Sequence, residues 1–150
     1  MTAVLETPPQ APPGPEAALA ELAEEFELLG DWEERYRHVI DLGRELEPLA
    51  PAERTEANKV RGCASQVWLL SQRSGPVLRF RGDSDAHIVR GLIAILLRLY
   101  SGRTPEQILA FDARSALADL GLSAALSTQR SNGLSAMLAR IKAEAEEAAA

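Results

Sequence analysis

Cys63 is the only cysteine in this 150-residue chain, and the chain's two histidines are His38 and His87. A thiol does its chemistry as the thiolate, and a free thiol with a pKa of about 8.5 is ionised to only a few per cent at neutral pH. What surrounds the cysteine therefore decides its use. It stands in Asn58-Lys59-Val60-Arg61-Gly62-Cys63-Ala64-Ser65-Gln66, a polar stretch rather than an apolar run. Gly62 gives the backbone freedom to present the side chain. Arg61 and Lys59, near in sequence, are expected to favour the thiolate. A Cys–His pair with His38 or His87 would suit a hydrolase or acyl transferase. A lone cysteine also serves simply as a small buried hydrophobe.

Two further groups carry potential chemistry. Asp83 and Asp85 could form a metal-binding pair, but both also fit the cap and first turn of a following helix, where the helix dipole favours negative charge. Arg130, in Ser127-Thr128-Gln129-Arg130-Ser131-Asn132-Gly133, sits near the start of the last helix, where its charge opposes that dipole. The cysteine count excludes an internal disulfide. One cysteine and two scattered histidines cannot close a structural zinc site or ligate an iron–sulfur cluster within one chain. With 16 basic and 22 acidic residues the net charge is −6, which argues against nucleic acid or an anionic membrane as partner. The longest apolar stretch, Ile88 to Leu99, is broken by Arg90 and Arg98 and is too short to span a bilayer. The start of the chain shows neither a secretory signal nor a transit peptide, and the expected location is the cytoplasm.

These groups need a scaffold to position them. Five prolines fall within residues 1–15, which read as a Pro-rich disordered tail, leaving 16–150 as one domain. Leu19, Leu22, Phe26 and Leu29 mark a helix with Gly30 as its expected C-cap. Asp31 with Glu34 opens a second helix, whose apolar face is expected to carry Trp32, Tyr36, Val39, Ile40 and Leu46, ending at Pro48 and Pro51. Residues 52–65 read as a loop. Val67 to Leu70 and Val77 to Arg81 read as strands joined by the turn signal Ser74-Gly75-Pro76, hence an antiparallel hairpin. The segment from Ile88 to Leu99 is apolar nearly all round, the mark of a central buried helix. Thr104-Pro105-Glu106-Gln107 opens a short helix, Gly121 stops another, and Leu134, Met137, Leu138 and Ile141 share a face of the last. The expected class is α+β: a short antiparallel sheet, a hairpin with room for a third strand, packed against several helices in two layers.

Three blocks resemble one family in the same order and spacing. Val60-Arg61-Gly62-Cys63-Ala64-Ser65-Gln66-Val67-Trp68 is similar to the signature loop and strand of the SufE family, sulfur-acceptor proteins of iron–sulfur cluster assembly. Gly82-Asp83-Ser84-Asp85-Ala86-His87-Ile88-Val89-Arg90-Gly91-Leu92 resembles its second block, and Ser127 to Met137 its third. Ala64 departs from the polar residue expected after the cysteine. The resemblance runs from about Leu28 to Ile141. It implies an α+β fold related to the cluster-scaffold fold, with the resting thiol tucked into an apolar hollow. It also implies that Cys63 takes persulfide sulfur from a cysteine desulfurase, stimulates that enzyme, and passes sulfur towards an iron–sulfur scaffold. Pyridoxal phosphate would belong to the partner, with no cofactor on this chain, which acts as a monomer or homodimer. Arg61, Gly62, Ser65, Gln66, Asp83, Asp85, His87 and Arg130 are then expected to support the loop or contact the partner. Two alternatives stay open: a non-covalent activator of a desulfurase, and a Cys–His hydrolase or transferase.

Overall fold

The computed structural model describes residues 13–122 and 128–149. Its elements run α1 (Pro15–Glu27), α2 (Trp32–Arg44), a single 3-10 turn (Pro51–Glu53), β1 (Val67–Ser74), β2 (Val77–Ser84), α3 (His87–Tyr100), α4 (Pro105–Ala110), α5 (Ala113–Asp119) and α6 (Thr128–Ala149). Among the described residues a two-stranded antiparallel sheet lies with six helices, so the fold is α+β as expected. Residues 1–12 of the expected tail lie outside the described residues. The last proline of that stretch is not tail: Pro15 is buried at the first turn of α1, where a missing N–H costs nothing.

α3 is the centre of the core. Leu92, Ile93, Ile95, Leu96, Leu99 and Tyr100 are almost wholly buried, as its all-round apolar sequence requires. α2 crosses it at glycines. A Cβ on Gly43 would stand 2.6 Å from the Gly91 nitrogen, and one on Gly91 would stand 2.1 Å from the Val39 carbonyl oxygen. The two backbones therefore touch directly. α1 adds Leu22 and Phe26 to the same core, and α6 adds Leu134, Met137, Ile141 and Ala145.

The helix starts follow their sequences closely. Asp31 accepts the Glu34 amide (2.9 Å), but the Glu34 carboxylate reaches past Asp31 to accept the Gly30 amide (2.7 Å), so this capping box is displaced by one residue. Thr104 and Gln107 make the expected reciprocal pair, Gln107 N–H to Thr104 Oγ1 (3.2 Å) and Thr104 N–H to Gln107 Oε1 (2.9 Å).

Four expectations fail for identifiable reasons. Gly30 is not a left-handed cap; Leu28 caps α1 with ordinary helical dihedrals. The expected face of α2 fails only at Trp32, which is 41% exposed and packs edge-on against Tyr36; Val39 is buried with Leu42 and Gly43, and Tyr36, Ile40 and Leu46 pack partly buried against the core. Close approach to α3 selects the small residue for the inner face and leaves Trp32, at the first turn of α2, outside it. α2 ends at Arg44, before Pro48. Finally, residues 58–60 are not free loop. Val60 N–H donates to Val67 O (2.8 Å), Leu69 N–H donates to Asn58 O (2.8 Å), and Lys59 bridges Trp68 in antiparallel sense. The room for a third strand is filled by this bridge on the β1 edge, and a second bridge joins Leu78 to Arg103 on the β2 edge.

β2 also runs further than its alternation indicates, to Ser84. Gly82, Asp83 and Ser84 are strand residues paired with Leu69, Trp68 and Val67. Gly82 is required there, because a Cβ would meet Leu69 Cδ2 at 2.6 Å and Ile93 Cγ2 at 3.0 Å. The hairpin turn is Gly75-Pro76, with Gly75 at φ 59°. Glycine before a φ-fixed proline gives the sign pattern of a type II′ turn, which matches strand twist.

Candidate functional site

Because 58–60 pairs with β1, residues 61–66 form a hairpin loop with Cys63 near its tip. Gly62 turns it at φ 92°, a left-handed value that a side chain would strain. The loop folds against α6. Its thiol lies 3.7 Å from the Gly133 carbonyl oxygen, as a donor to that acceptor. A Cβ at Gly62 would come 3.5 Å from Ala136 Cβ, so the loop's turn also rests on α6.

The thiol opens into a cavity of about 200 Å³. Val67 of β1, Ile88, Val89 and Leu92 of α3, and Met137 of α6 give it apolar walls, with Ser65 and Arg130 also lining it. Burial in this hollow pushes the Cys63 thiol's pKa up. That corrects the expectation of a thiolate favoured by Arg61 and Lys59. The Arg61 guanidinium instead pairs with Glu56 at 3.0 Å in the open, and Lys59 is bridged to Trp68 through its backbone. Nearness in sequence did not become nearness in space, so desolvation of the sulfur wins.

Asp83 and Asp85 are likewise not helix caps. α3 begins after Ala86, without a side-chain cap. Asp83 is 1% exposed in β2. Its carboxylate accepts from Arg54 (2.9 Å) and from the amides of Leu49 (3.2 Å) and Ser84 (2.8 Å), with Arg90 Nε at 3.2 Å. A buried charge requires such a shell, and this one fastens the 49–54 segment to the sheet and to α3. Arg54 also lies over the Trp68 ring, 5.2 Å from its centroid. Asp85 instead secures the exit of the Cys63 loop. Its carboxylate accepts the Gln66 amide (3.0 Å), while the Ser84 hydroxyl donates to Gln66 O (2.7 Å).

The expected site residues therefore divide. Cys63, Ser65 and Arg130 meet at the cavity, Gly62 and Gln66 shape the two ends of the loop, and Asp85 holds one of those ends. Asp83 acts on the neighbouring scaffold, and Arg61 stands apart. His87 is exposed at the first turn of α3. His38 bonds Glu25 (3.1 Å) and meets the Phe26 ring edge-on. Neither histidine lines the cavity. Ser84 and Gly133 were missed as site residues. Gly133 carried a signal: a glycine inside a helix costs roughly 1 kcal/mol relative to alanine, and calls for a reason.

The architecture defines an α+β domain that shelters one loop-borne thiol between a hairpin and two helices. The chain belongs to the SufE family: residues 20–145 match the family model described as an Fe-S metabolism associated domain. A role in iron–sulfur assembly goes with that membership. An uncharacterized SufE-like protein of Rhizobium etli is 52% identical over 138 residues, covering 89% of this chain and 93% of that protein. Another from Rhizobium meliloti is 48% identical over 133 residues, covering 86% and 95%. The solution structure of a hypothetical protein from Thermus thermophilus superposes with a TM-score of 0.71 over 93% of this chain and 98% of that one. At 21% identity that likeness speaks for the fold alone. Among the described residues no helix is long and apolar enough to cross a membrane.

Proposed function

We propose that this chain is a sulfur acceptor, taking persulfide sulfur from a cysteine desulfurase onto Cys63, stimulating that enzyme and passing the sulfur on for iron–sulfur cluster assembly. The observation that supports this reading best is the placing of the chain's only thiol on a loop, lodged in an apolar hollow beside Gly133. The Cys63 thiolate attacks the terminal sulfur of the partner's persulfide. A new S–S bond forms on Cys63 as the partner's S–S bond breaks, and the partner leaves as a thiolate. The sulfane sulfur keeps its oxidation level, so neither an oxidant nor a reductant is consumed.

Two features suit such a carrier. With no second cysteine in the chain, nothing internal resolves the persulfide into a disulfide with release of sulfide. The hollow also withholds the sulfur from solvent oxidants until a partner arrives. Its cost is a thiol that holds its proton, so docking must draw the loop out before the attack. Arg61, Ser65, Gln66, Asp85, His87 and Arg130 surround or flank the loop and form the proposed docking face. Asp83 supports it from beneath. In this reading pyridoxal phosphate belongs to the desulfurase, and the sulfur's destination is an iron–sulfur scaffold in the cytoplasm.

Intact-mass measurement after incubation with cysteine and an active desulfurase tests the proposal. The wild type should gain one sulfur atom on Cys63 and Cys63→Ser none; no gain on the wild type sinks it. Stimulation of the desulfurase should also be lost in Cys63→Ser. Full stimulation by that variant would instead favour a non-covalent activator.

A further inference from the structure

The entrance to the Cys63 loop has an anchor that comes from neither the loop nor the hairpin. In the bridged segment 58–60, Asn58 O and Val60 N–H face β1. Just before it the chain turns, with Asn58 N–H donating to Thr55 O (3.2 Å) and Lys59 N–H to Glu56 O (3.2 Å), so Ala57 lies in a turn that runs into a single-residue bridge at Lys59. Arg140 of α6 reaches both the turn and the bridge. Its Nη2 donates to Ala57 O (2.9 Å) and its Nη1 to Lys59 O (3.4 Å). The planar guanidinium thus supplies two donors to two carbonyls, one in the turn and one at the bridge, and ties them together.

The guanidinium is itself fixed. Arg140 Nε donates to Glu144 Oε1 (3.1 Å), and the other oxygen of Glu144 accepts from Ser71 of β1 (3.1 Å). One face of α6 therefore carries both the acceptor of the thiol, Gly133, and two turns later the anchor of the segment that leads into the loop. We propose that Arg140 is a positioning residue for Cys63, holding the turn and bridge that lead into the loop so that the thiol stays seated in its hollow. The proposal rests on the reading of Cys63 as the sulfur-bearing thiol, but its physical content concerns exposure of that thiol and needs no partner.

The test is the alkylation rate of Cys63 in the full-length protein with iodoacetamide, followed by intact mass from pH 6 to 10. Arg140→Met keeps the aliphatic stem and removes the donors. It should raise the rate at pH 7.5 roughly fivefold or more and move the rate's midpoint down towards that of a free thiol. Arg140→Lys, which can serve one carbonyl at a time, should fall between. It carries the test alone if Arg140→Met does not fold.

Arg73→Met supplies the control. Arg73 ties β1 to the far end of α6 through Ala148 O (2.7 Å), away from the loop, and its loss should leave the rate within a factor of two. An unchanged rate in folded Arg140 variants overturns the proposal, as does an equal rise in Arg73→Met, which would reveal a general loosening of α6. Because iodoacetamide needs no desulfurase, this result is independent of whether Cys63 accepts sulfur. With the desulfurase present, Arg140→Met should change the KM for this chain more than kcat.

Discussion

β1 has a loop at each end, and the two are held in opposite ways. At Ser74 the strand turns through Gly75-Pro76 and re-enters the sheet at once, its shape set by one positive φ and one proline ring. At Val67 it meets the 61–66 loop, which groups from elsewhere hold down: the side chains of Ser84 at the end of β2 and of Asp85 just after it, and on α6 the Gly133 carbonyl. The first is closed within the hairpin itself, by Gly75, Pro76, the Ser74–Val77 pairing and the Arg73 Nε that donates to Gly75 O (3.2 Å). The second is closed by contacts that can be exchanged one at a time, which is what a loop needs if it is to release a thiol. Changes near the turn should therefore alter stability alone, and changes near the loop should alter thiol chemistry as well.

The largest effect expected is on the scaffold beneath the loop. Asp83→Ala removes the acceptor of Arg54 and the counter-charge beside Arg90 and should cost about 3 kcal/mol in urea unfolding. A loss below about 1 kcal/mol would mean that water replaces the carboxylate without penalty. Gly75→Val forces a β-branched residue to a positive φ and should cost about 1–2 kcal/mol, while Cys63 alkylation stays at the wild-type rate. A faster rate in that variant would break the contrast between the two ends. Asp85→Ala should show the reverse balance. It loses one exposed hydrogen bond, about 1 kcal/mol or less, yet alkylation should rise severalfold, because the Gln66 amide no longer fixes the loop's exit.

The smallest effect expected is in pH. Burial raises the pKa of the Cys63 thiol, so the folded chain keeps this proton to a higher pH than the unfolded chain does. The associated stability is intact below the ordinary thiol range, about 8.5, and is lost as pH rises through that range to the raised value. Between pH 7 and pH 10 the wild type should therefore lose slightly more stability in urea melts than Cys63→Ser. Equal losses would mean that the thiol is not desolvated.

The class of fold was legible because its signals are periodic and local: the all-round apolar α3, the Thr104–Gln107 box and the turn at Gly75. The residue that carries the chemistry was legible too, since the chain has only one thiol and the blocks around it are distinctive. What sequence did not disclose was three-dimensional partnership. Asp83 and Asp85 have the types and spacing of caps, and only the extended β2 turns them into a buried anchor and a loop clamp. Arg61 is two residues from Cys63 and pairs elsewhere, whereas Gly133, seventy residues away, touches the sulfur. The electrostatic sign of the site depended on that distinction. Local charge suggested an acidified thiol, and packing from a distant helix produced a protected one.

The backbone crossing of Gly43 and Gly91 has a bearing on how this molecule can move. Two helices that meet main chain to main chain have no side-chain layer between them to act as a lubricant, and sliding one along the other would drive a Cα or a neighbouring side chain into the opposing backbone. α2 and α3 thus act as a fixed bearing block. Whatever displacement a partner imposes to reach the sulfur must be taken up on the opposite side, at the seam between the 61–66 loop and α6, where the contacts are single hydrogen bonds and a cavity leaves slack.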